Sequence, residues 1–518
     1  MTERYSNCRR RYRLHLFKGT IGKRFPAVNG DNLHRRIKVL VACSRQWLQT
    51  FLKVPCTMSF PKYFVWGVAT SAYQIEGAAT EDGRGASIWD EFCTKPGAVL
   101  GAASAASACD HYHRSIEDIN LMRRFSIPAY RFSISWPRVL PEGTGAVNTR
   151  GLDFYDRLVD SLLAAGLEPW VTLFHWDYPL ALHHRGGWLH PDSPAWFADY
   201  VRIVADRLSD RVENWFTLNE PQIFVGCGYQ QGTHAPGEQL AFDHVLAISH
   251  NVLRSHGMAV MTLRSRAKKK PLIGYALAPN PVPVPATPTT DDISAARRLL
   301  FSITRKDCMN TTWWTDPVLL GEYPEDGLQL FGKDVPAGAG GDLDLIAQPL
   351  DFIGLNIYFG IRCFADIEGA PHTVEPVPAD ARTGFGWQVM PESIYWGVKF
   401  FAERYHLPIV ISENGAAYPD VVSPDGCVHD RMRIEFLRAY LHELKRACDE
   451  GIAVHGYFLW SLLDNFEWAA GYTQRFGIVY VDFGTGKRTP KDSAWWYHHQ
   501  ITTNGADLSG PVLPEKVS

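Results

Sequence analysis

A single-domain (β/α)₈ barrel with long βα loops is the fold this sequence predicts, on three observations. Eight short runs rich in β-branched or aromatic residues recur along the chain, stretches with helical spacing of apolar residues lie between them, and polar residues gather immediately after seven of the eight. The runs are 64–69, 129–133, 168–174, 214–218, 272–277, 352–356, 409–412 and 454–459. Between the second and third, 151–165 puts Leu152, Tyr155, Leu158, Val159, Leu162 and Leu163 on one face. Between the seventh and eighth, 431–450 does the same with Ile434, Leu437, Leu441 and Leu444. The Pro-rich stretch 279–288 follows a strand pattern and precedes a helix-like run, 293–301, so it is expected to be a long loop within one domain. Periodicity alone leaves an open doubly wound sheet with an added domain as the alternative.

The barrel domain is expected over 58–504, followed by a tail, 505–518. The first 57 residues differ in composition, holding 13 of the 52 Lys and Arg but only two acids, Glu3 and Asp31. They read as a basic leader outside the fold, with Met58 as the functional start. Their only apolar run, 39–43, is too short for a secretory signal, which implies a cytoplasmic protein. Without the leader, 39 basic residues face 53 acidic ones, a formal charge of −14 that disfavours nucleic-acid or anionic-membrane partners. No stretch reaches the ~20 apolar residues of a membrane span. The ten cysteines form no CxxC pair or zinc-type cluster and the histidines no HExxH arrangement, so reduced thiols and no metal are expected.

The polar residues after the runs are Gln74 and Glu76, Arg131, His175 and Trp176, Asn219 and Glu220, Asn356 and Tyr358, Glu413 and Asn414, then Trp460. In a barrel all would face the C-terminal mouth, where catalytic loops are built. Cleaving a glycosidic bond needs one carboxylic acid to protonate the leaving oxygen and a second carboxylate to attack or stabilise the anomeric carbon. Glu220, in Thr217-Leu-Asn-Glu-Pro221, and Glu413, in Ile411-Ser-Glu-Asn-Gly415, end the fourth and seventh runs and suit those tasks. Taken singly each has an ordinary reading, as a helix-entry residue before proline and as part of an Asn-Gly turn.

With both motifs so placed, the chain resembles the family 1 glycoside hydrolases of the β-glucosidase type. There an Asn-Glu-Pro motif supplies the acid/base and a Glu-Asn-Gly motif the nucleophile of a retaining reaction. The resemblance runs from about Phe60 to Ile501. It includes Phe64-Val-Trp-Gly-Val-Ala-Thr-Ser-Ala-Tyr-Gln-Ile-Glu-Gly77, Tyr130-Arg-Phe-Ser-Ile-Ser-Trp-Pro-Arg138, Trp460-Ser-Leu-Leu-Asp-Asn-Phe-Glu-Trp468 and Arg475-Phe-Gly-Ile-Val-Tyr-Val-Asp482. It implies that Gln74, His175, Trp176, Asn219, Tyr358, Glu467 and Trp468 contact the nonreducing sugar and that Trp460 stacks beneath its ring. Arg131 and Tyr358 would orient the nucleophile. A pocket of amides, carboxyls and indoles matches a ligand with many hydroxyls and an apolar face. Two carboxyls used in this way should lie ~5 to 5.5 Å apart.

The substrate implied is a small β-glucoside or short oligosaccharide, with β-galactosides and β-fucosides as secondary substrates, a place in cellulose breakdown, and no cofactor. Glu467 before Trp468 looks like the branch of the family acting on unphosphorylated sugars. On the leaving-group side the chain departs from the family: Gln222 stands where Trp is frequent, and Ile357 and Phe359 flank Tyr358. Phe224, Cys227 and His234 are expected near that outer cleft, with ordinary loop packing as the alternative. The competing functions are a transglycosidase using the same intermediate and a noncatalytic sugar-binding barrel, which typically lacks one of the two carboxylates.

Overall fold

The computed structural model describes residues 59–510, so the basic segment 1–57 and residues 511–518 of the expected tail lie outside it. Eight parallel strands close into a barrel: β1 (Val65–Ala69), β2 (Ala129–Ser133), β3 (Glu168–Phe174), β4 (Asn214–Asn219), β5 (Leu272–Leu277), β6 (Phe352–Asn356), β7 (Ile409–Asn414) and β8 (Val454–Trp460), each paired with its neighbours in that order and β8 with β1. All eight expected runs form strands. Three of them run further than expected at their C-terminal ends, taking Asn219, Glu413 and Trp460 into the sheet.

The helical patterns form Thr149–Ala164 and Arg431–Asp449, each burying the apolar face anticipated for it apart from the exposed Leu163. The Pro-rich stretch corrects the expectation of a plain loop. Val282–Pro285 is a strand, paired in parallel with Gly360–Ala365 in a three-stranded sheet outside the barrel. Proline lacks an N–H and is tolerated in a short strand at a sheet edge, the position Val282–Pro285 occupies. Residues 505–510 turn back onto the helix Asp492–Thr502, burying Leu508. No helix among the described residues is long and apolar enough to cross a membrane.

The barrel interior mixes very large with very small side chains. Trp170, Phe216, Phe352 and Phe458 fill it, with ring centroids 5.0 to 5.5 Å apart for Trp170–Phe458, Phe216–Phe352 and Trp170–Phe352. Ala69, Ala129 and Ala276 complete the layer. Glycine makes the room: a Cβ at Gly274 would lie 2.1 Å from the Phe352 ring, and one at Gly67 would lie 2.4 Å from Phe458. This aromatic plug is the floor beneath the site.

Register shifts mark the ends of the two strands that carry glutamates. The ladder slips between Phe216 and Asn219 on β4 against β5, and between Ile411 and Glu413 on β7 against β6. Such irregularities re-aim side chains at a sheet's rim. The floor is directly testable. Gly274→Ala is expected to cost about 1 to 3 kcal/mol through overpacking against Phe352, read as a lower urea midpoint; an unchanged midpoint would show that the plug is looser than described.

Candidate active site

Arg131 on β2 reaches across the barrel mouth. Its Nη1 donates to Glu413 Oε1 (2.6 Å) and the Ser412 carbonyl (3.1 Å), its Nη2 to Asn219 Oδ1 (2.6 Å) and its Nε to Thr172 Oγ1 (3.1 Å). The guanidinium carbon sits 4.6 Å from the centroid of the Phe216 ring, directly on the aromatic floor. Tyr358, following β6, donates its hydroxyl to Glu413 Oε2 at 2.7 Å. Both Glu413 oxygens are thus held.

Glu220 has different company. Asn356 Nδ2 donates to Glu220 Oε1 (2.7 Å) and lies 3.1 Å from Asn219 Oδ1, while Ser412 Oγ donates to Asn356 Oδ1 (2.6 Å). The same amide also favours ionised Glu413, while its hydrogen bond goes to Glu220. Asn219 Nδ2 donates to His175 Nε2 at 3.1 Å, which leaves the ring proton on Nδ1. That buried Nδ1 has no protein partner, and burial together with Arg131 holds the imidazole neutral.

Opposite lie the loops after β1 and β8. Gln74 Nε2 meets Asn465 Oδ1 (3.1 Å), the Phe466 carbonyl (2.9 Å) and Glu467 Oε2 (3.2 Å), and Gln74 Oε1 accepts from Ser71. Trp460 and Trp468 both stack parallel to the His175 ring, at 5.8 and 6.0 Å. Trp176 donates its indole N–H to the Asn219 carbonyl (2.9 Å) and packs 4.5 Å from Trp468. Its one polar donor is therefore engaged, and it stands as a support for Asn219 and Trp468.

The carboxyls are electrostatically unequal. Burial, then the charge of Glu413, pushes Glu220 up to about 8. Burial raises Glu413 as well, but the Arg131 guanidinium and the hydrogen bonds from Tyr358, Arg131 and Asn356 oppose it, so Glu413 is the better stabilised anion. Glu467 is pushed up to about 8 by burial and by Glu413, against hydrogen bonds from Gln74 and Trp460. Among the described residues, no group of three or more His, Cys, Asp or Glu side chains is arranged to hold a metal.

Some residues noted at strand ends serve the frame instead. Glu76 pairs with Arg138 (2.8 Å) and accepts from Tyr155, and Asn414 bonds the Ile357 carbonyl and Tyr457. Phe224 packs between Phe174 and Trp188 in the core, so it does not line an outer cleft, whereas His234 packs edge-on against Trp89 and Trp176. Asn356 had no role assigned from sequence, although its place at the end of β6 was the available signal. Also missed was an aromatic cluster beside Tyr358. Trp387 stacks on Phe385 (4.7 Å) and Phe359 (5.1 Å) and lies 5.4 Å from Tyr358, contributed by a Gly-Phe-Gly-Trp loop whose only signal was bulky aromatics between glycines.

Comparison with known proteins agrees with this geometry. Residues 56–506 match the family model of glycosyl hydrolase family 1. A β-glucosidase A of Thermotoga maritima is 45% identical over 450 residues, covering 86% of this chain and 99% of the relative. A β-glucosidase A of Acetivibrio thermocellus is 44% identical over 457 residues, covering 86% and 99%. A solved Thermotoga maritima β-glucosidase in complex with glucoimidazole superposes with a TM-score of 0.80 at 44% identity, again covering 86% of this chain and 99% of that one. On that family match, the identity to these relatives and the shared closed barrel, the chain belongs to glycosyl hydrolase family 1.

Proposed function

We propose that Glu220 is the acid/base and Glu413 the nucleophile of a retaining reaction that removes terminal nonreducing β-D-glucosyl residues. The chain is a β-glucosidase. The observation that carries the role assignment is the asymmetry of the hydrogen bonds to the two carboxyls. Arg131 and Tyr358 bind Glu413 and leave Glu220 to Asn356. A nucleophile must be ionised at rest, and an acid must still hold its proton at neutral pH.

In the first step a Glu413 oxygen forms a bond to the anomeric carbon as the C–O bond to the leaving group breaks, and the departing oxygen takes the Glu220 proton. The resulting ester removes the Glu413 charge that raised Glu220, so the Glu220 carboxylate becomes stable enough to act as base. It then takes a proton from water, whose oxygen attacks the anomeric carbon and releases Glu413 as the carboxylate. His175 Nδ1–H is a neutral donor for a sugar hydroxyl, and Asn219, Gln74 and Glu467 add amide and carboxyl partners. Trp460 offers a face to the ring, with Trp468 beside it. The aromatic cluster at Trp387 supports a leaving group with an apolar face. Short β-1,4-glucans fit as natural substrates, since a relative from Thermotoga neapolitana is named 1,4-beta-D-glucan glucohydrolase. A cytoplasmic location is supported by seven free cysteines and no disulfide among the described residues.

Turnover of an aryl β-D-glucoside tests the assignment. Glu413→Ala is expected to lose ~10³-fold or more in kcat, and azide should rescue it by giving the inverted α-glucosyl azide; an unaffected rate would defeat the nucleophile assignment. The electrostatic coupling has its own measurement. In Glu413→Gln, NMR titration of labelled Glu220 should show its pKa falling from about 8 by roughly a unit or more, because a charge that disfavours ionisation has been removed. No shift would mean that burial alone holds the proton. For the sugar, the plain aryl glucoside is expected to turn over at least about tenfold faster than its 6-phosphate, because a phosphate dianion placed against Glu467 would be desolvated beside a carboxyl. The reverse order would overturn the reading of Glu467.

A further inference from the structure

Behind the loop that carries Glu467 lies a knot of charges that the proposed chemistry does not use. Three carboxylates, Asp420, Asp430 and Asp464, interlock with three cations, Arg433, Arg475 and Lys491. Arg433 pairs with Asp430 and with Asp420 (2.7 Å), and Arg475 with Asp464 (2.7 Å). Lys491, 0% exposed just ahead of the helix Asp492–Thr502, bridges Asp420 (2.5 Å) and Asp464 (2.7 Å). The knot is charge-balanced, so losing one member strands a buried charge.

Asp464 is where the knot meets the sugar pocket. Its carboxylate holds both limbs of the loop 461–478, accepting from Lys491, from Arg475 and from the Gly477 N–H (3.0 Å). The next three residues are the ones that engage Gln74: Asn465 through its side chain, Phe466 through its carbonyl and Glu467 through its carboxyl. Asn465 also ties back to Ser461 Oγ (2.9 Å), next to Trp460. Displacing Asp464 would therefore displace Asn465, Glu467 and the Trp460 end of β8 together.

We propose that Lys491 is a positioning residue for the sugar pocket, its ammonium pinning Asp464 so that Glu467 and Gln74 stay in register. The proposal rests on the reading of Glu467 as a sugar-binding residue. Glutamate and glutamine side chains have several rotatable bonds, and their alignment with hydroxyls depends on a backbone fixed to a fraction of an ångström. Lys491 is well placed to provide this because it is anchored on two sides.

Kinetics on an aryl β-D-glucoside test this with Lys491→Met, with the charge-balanced pair Lys491→Met/Asp420→Asn, with Glu467→Ala, and with the pair combined with Glu467→Ala. The balanced pair removes one cation and one anion and carries the test if Lys491→Met alone does not fold. It is expected to keep its fold by circular dichroism and to lose about 10- to 100-fold in kcat/KM, chiefly through KM. That loss should largely vanish when Glu467 is already Ala, since both changes act on the same contact. Wild-type kinetics in the folded pair, or losses that simply multiply, would overturn the proposal and leave the knot a folding element. Full activity of Glu467→Ala would instead remove the sugar-binding reading, and the positioning role with it.

Discussion

The buried pair of Arg131 and Glu413 is the interaction on which the remainder of the site depends. A guanidinium out of water is costly unless its donors are matched, and Arg131 matches them with acceptors on β3, β4 and β7 while its face rests on Phe216. That one side chain links four strands across the barrel mouth. It also fixes the Asn219 amide with its oxygen toward Arg131, which turns the nitrogen toward His175 and selects the tautomer whose N–H is free. The aromatic plug belongs to the same arrangement, because the floor under Arg131 exists only where glycines let Phe352 and Phe458 fill the interior.

Charge counting explains why one cation suffices for three carboxyls. Glu220 and Glu467 are each raised to about 8, which favours their protonated forms at neutral pH, while the Arg131 pair makes Glu413 the best stabilised anion of the three. The resting pocket is then close to neutral, which suits an uncharged sugar. In the proposed mechanism the Glu413 carboxylate stabilises the positive charge that develops at the anomeric carbon. The arrangement has a stability signature. Both folded values lie above the ~4.3 of an unfolded glutamate, so the folded state binds more protons between those limits. Stability contributed by these groups is full below the unfolded value and is lost as pH rises through about 8.

How legible the protein was from its sequence follows from how local each signal is. The eight strands and the two glutamates were readable because a buried parallel strand is a short apolar run and the polar residue ending it stands out against that run. The strand assigned as loop, Val282–Pro285, was hidden by prolines that an edge position tolerates. Asn356 sat in plain view, but its bonds to Asn219, Glu220 and Ser412 depend on β4, β6 and β7 together. Phe224, expected near the outer cleft, packs in the core, and Trp387, for which there was no expectation, packs beside Tyr358, for the same reason. Which aromatic faces the core and which faces the cleft is decided by loops that fold against distant residues, and no periodicity reports it.

The backbone shows where the fold gives up local comfort for that placement. Trp176, Glu220 and Trp468 all adopt positive φ, at 81, 49 and 50°. Bulky residues rarely do so, and such conformations persist only where neighbours over-determine them. Each is over-determined here. Trp176 is tied through its indole to Asn219 and through its carbonyl to Tyr178, Glu220 through its N–H to the Ala276 carbonyl, and Trp468 by the tight turn that joins Glu467 to Gly471. Trp176 and Glu220 lie just past the ends of β3 and β4, and Trp468 lies further along the loop that follows β8, where the chain has left the strand direction to turn side chains over the barrel mouth. The slip in register on β4 and β7 does the same at the level of the sheet. Strain and bulge therefore share one cause. A parallel barrel points its strand-end side chains alternately inward and outward, and bringing the proposed acid, the proposed nucleophile and their aromatic supports over one mouth requires breaking that alternation where those residues begin.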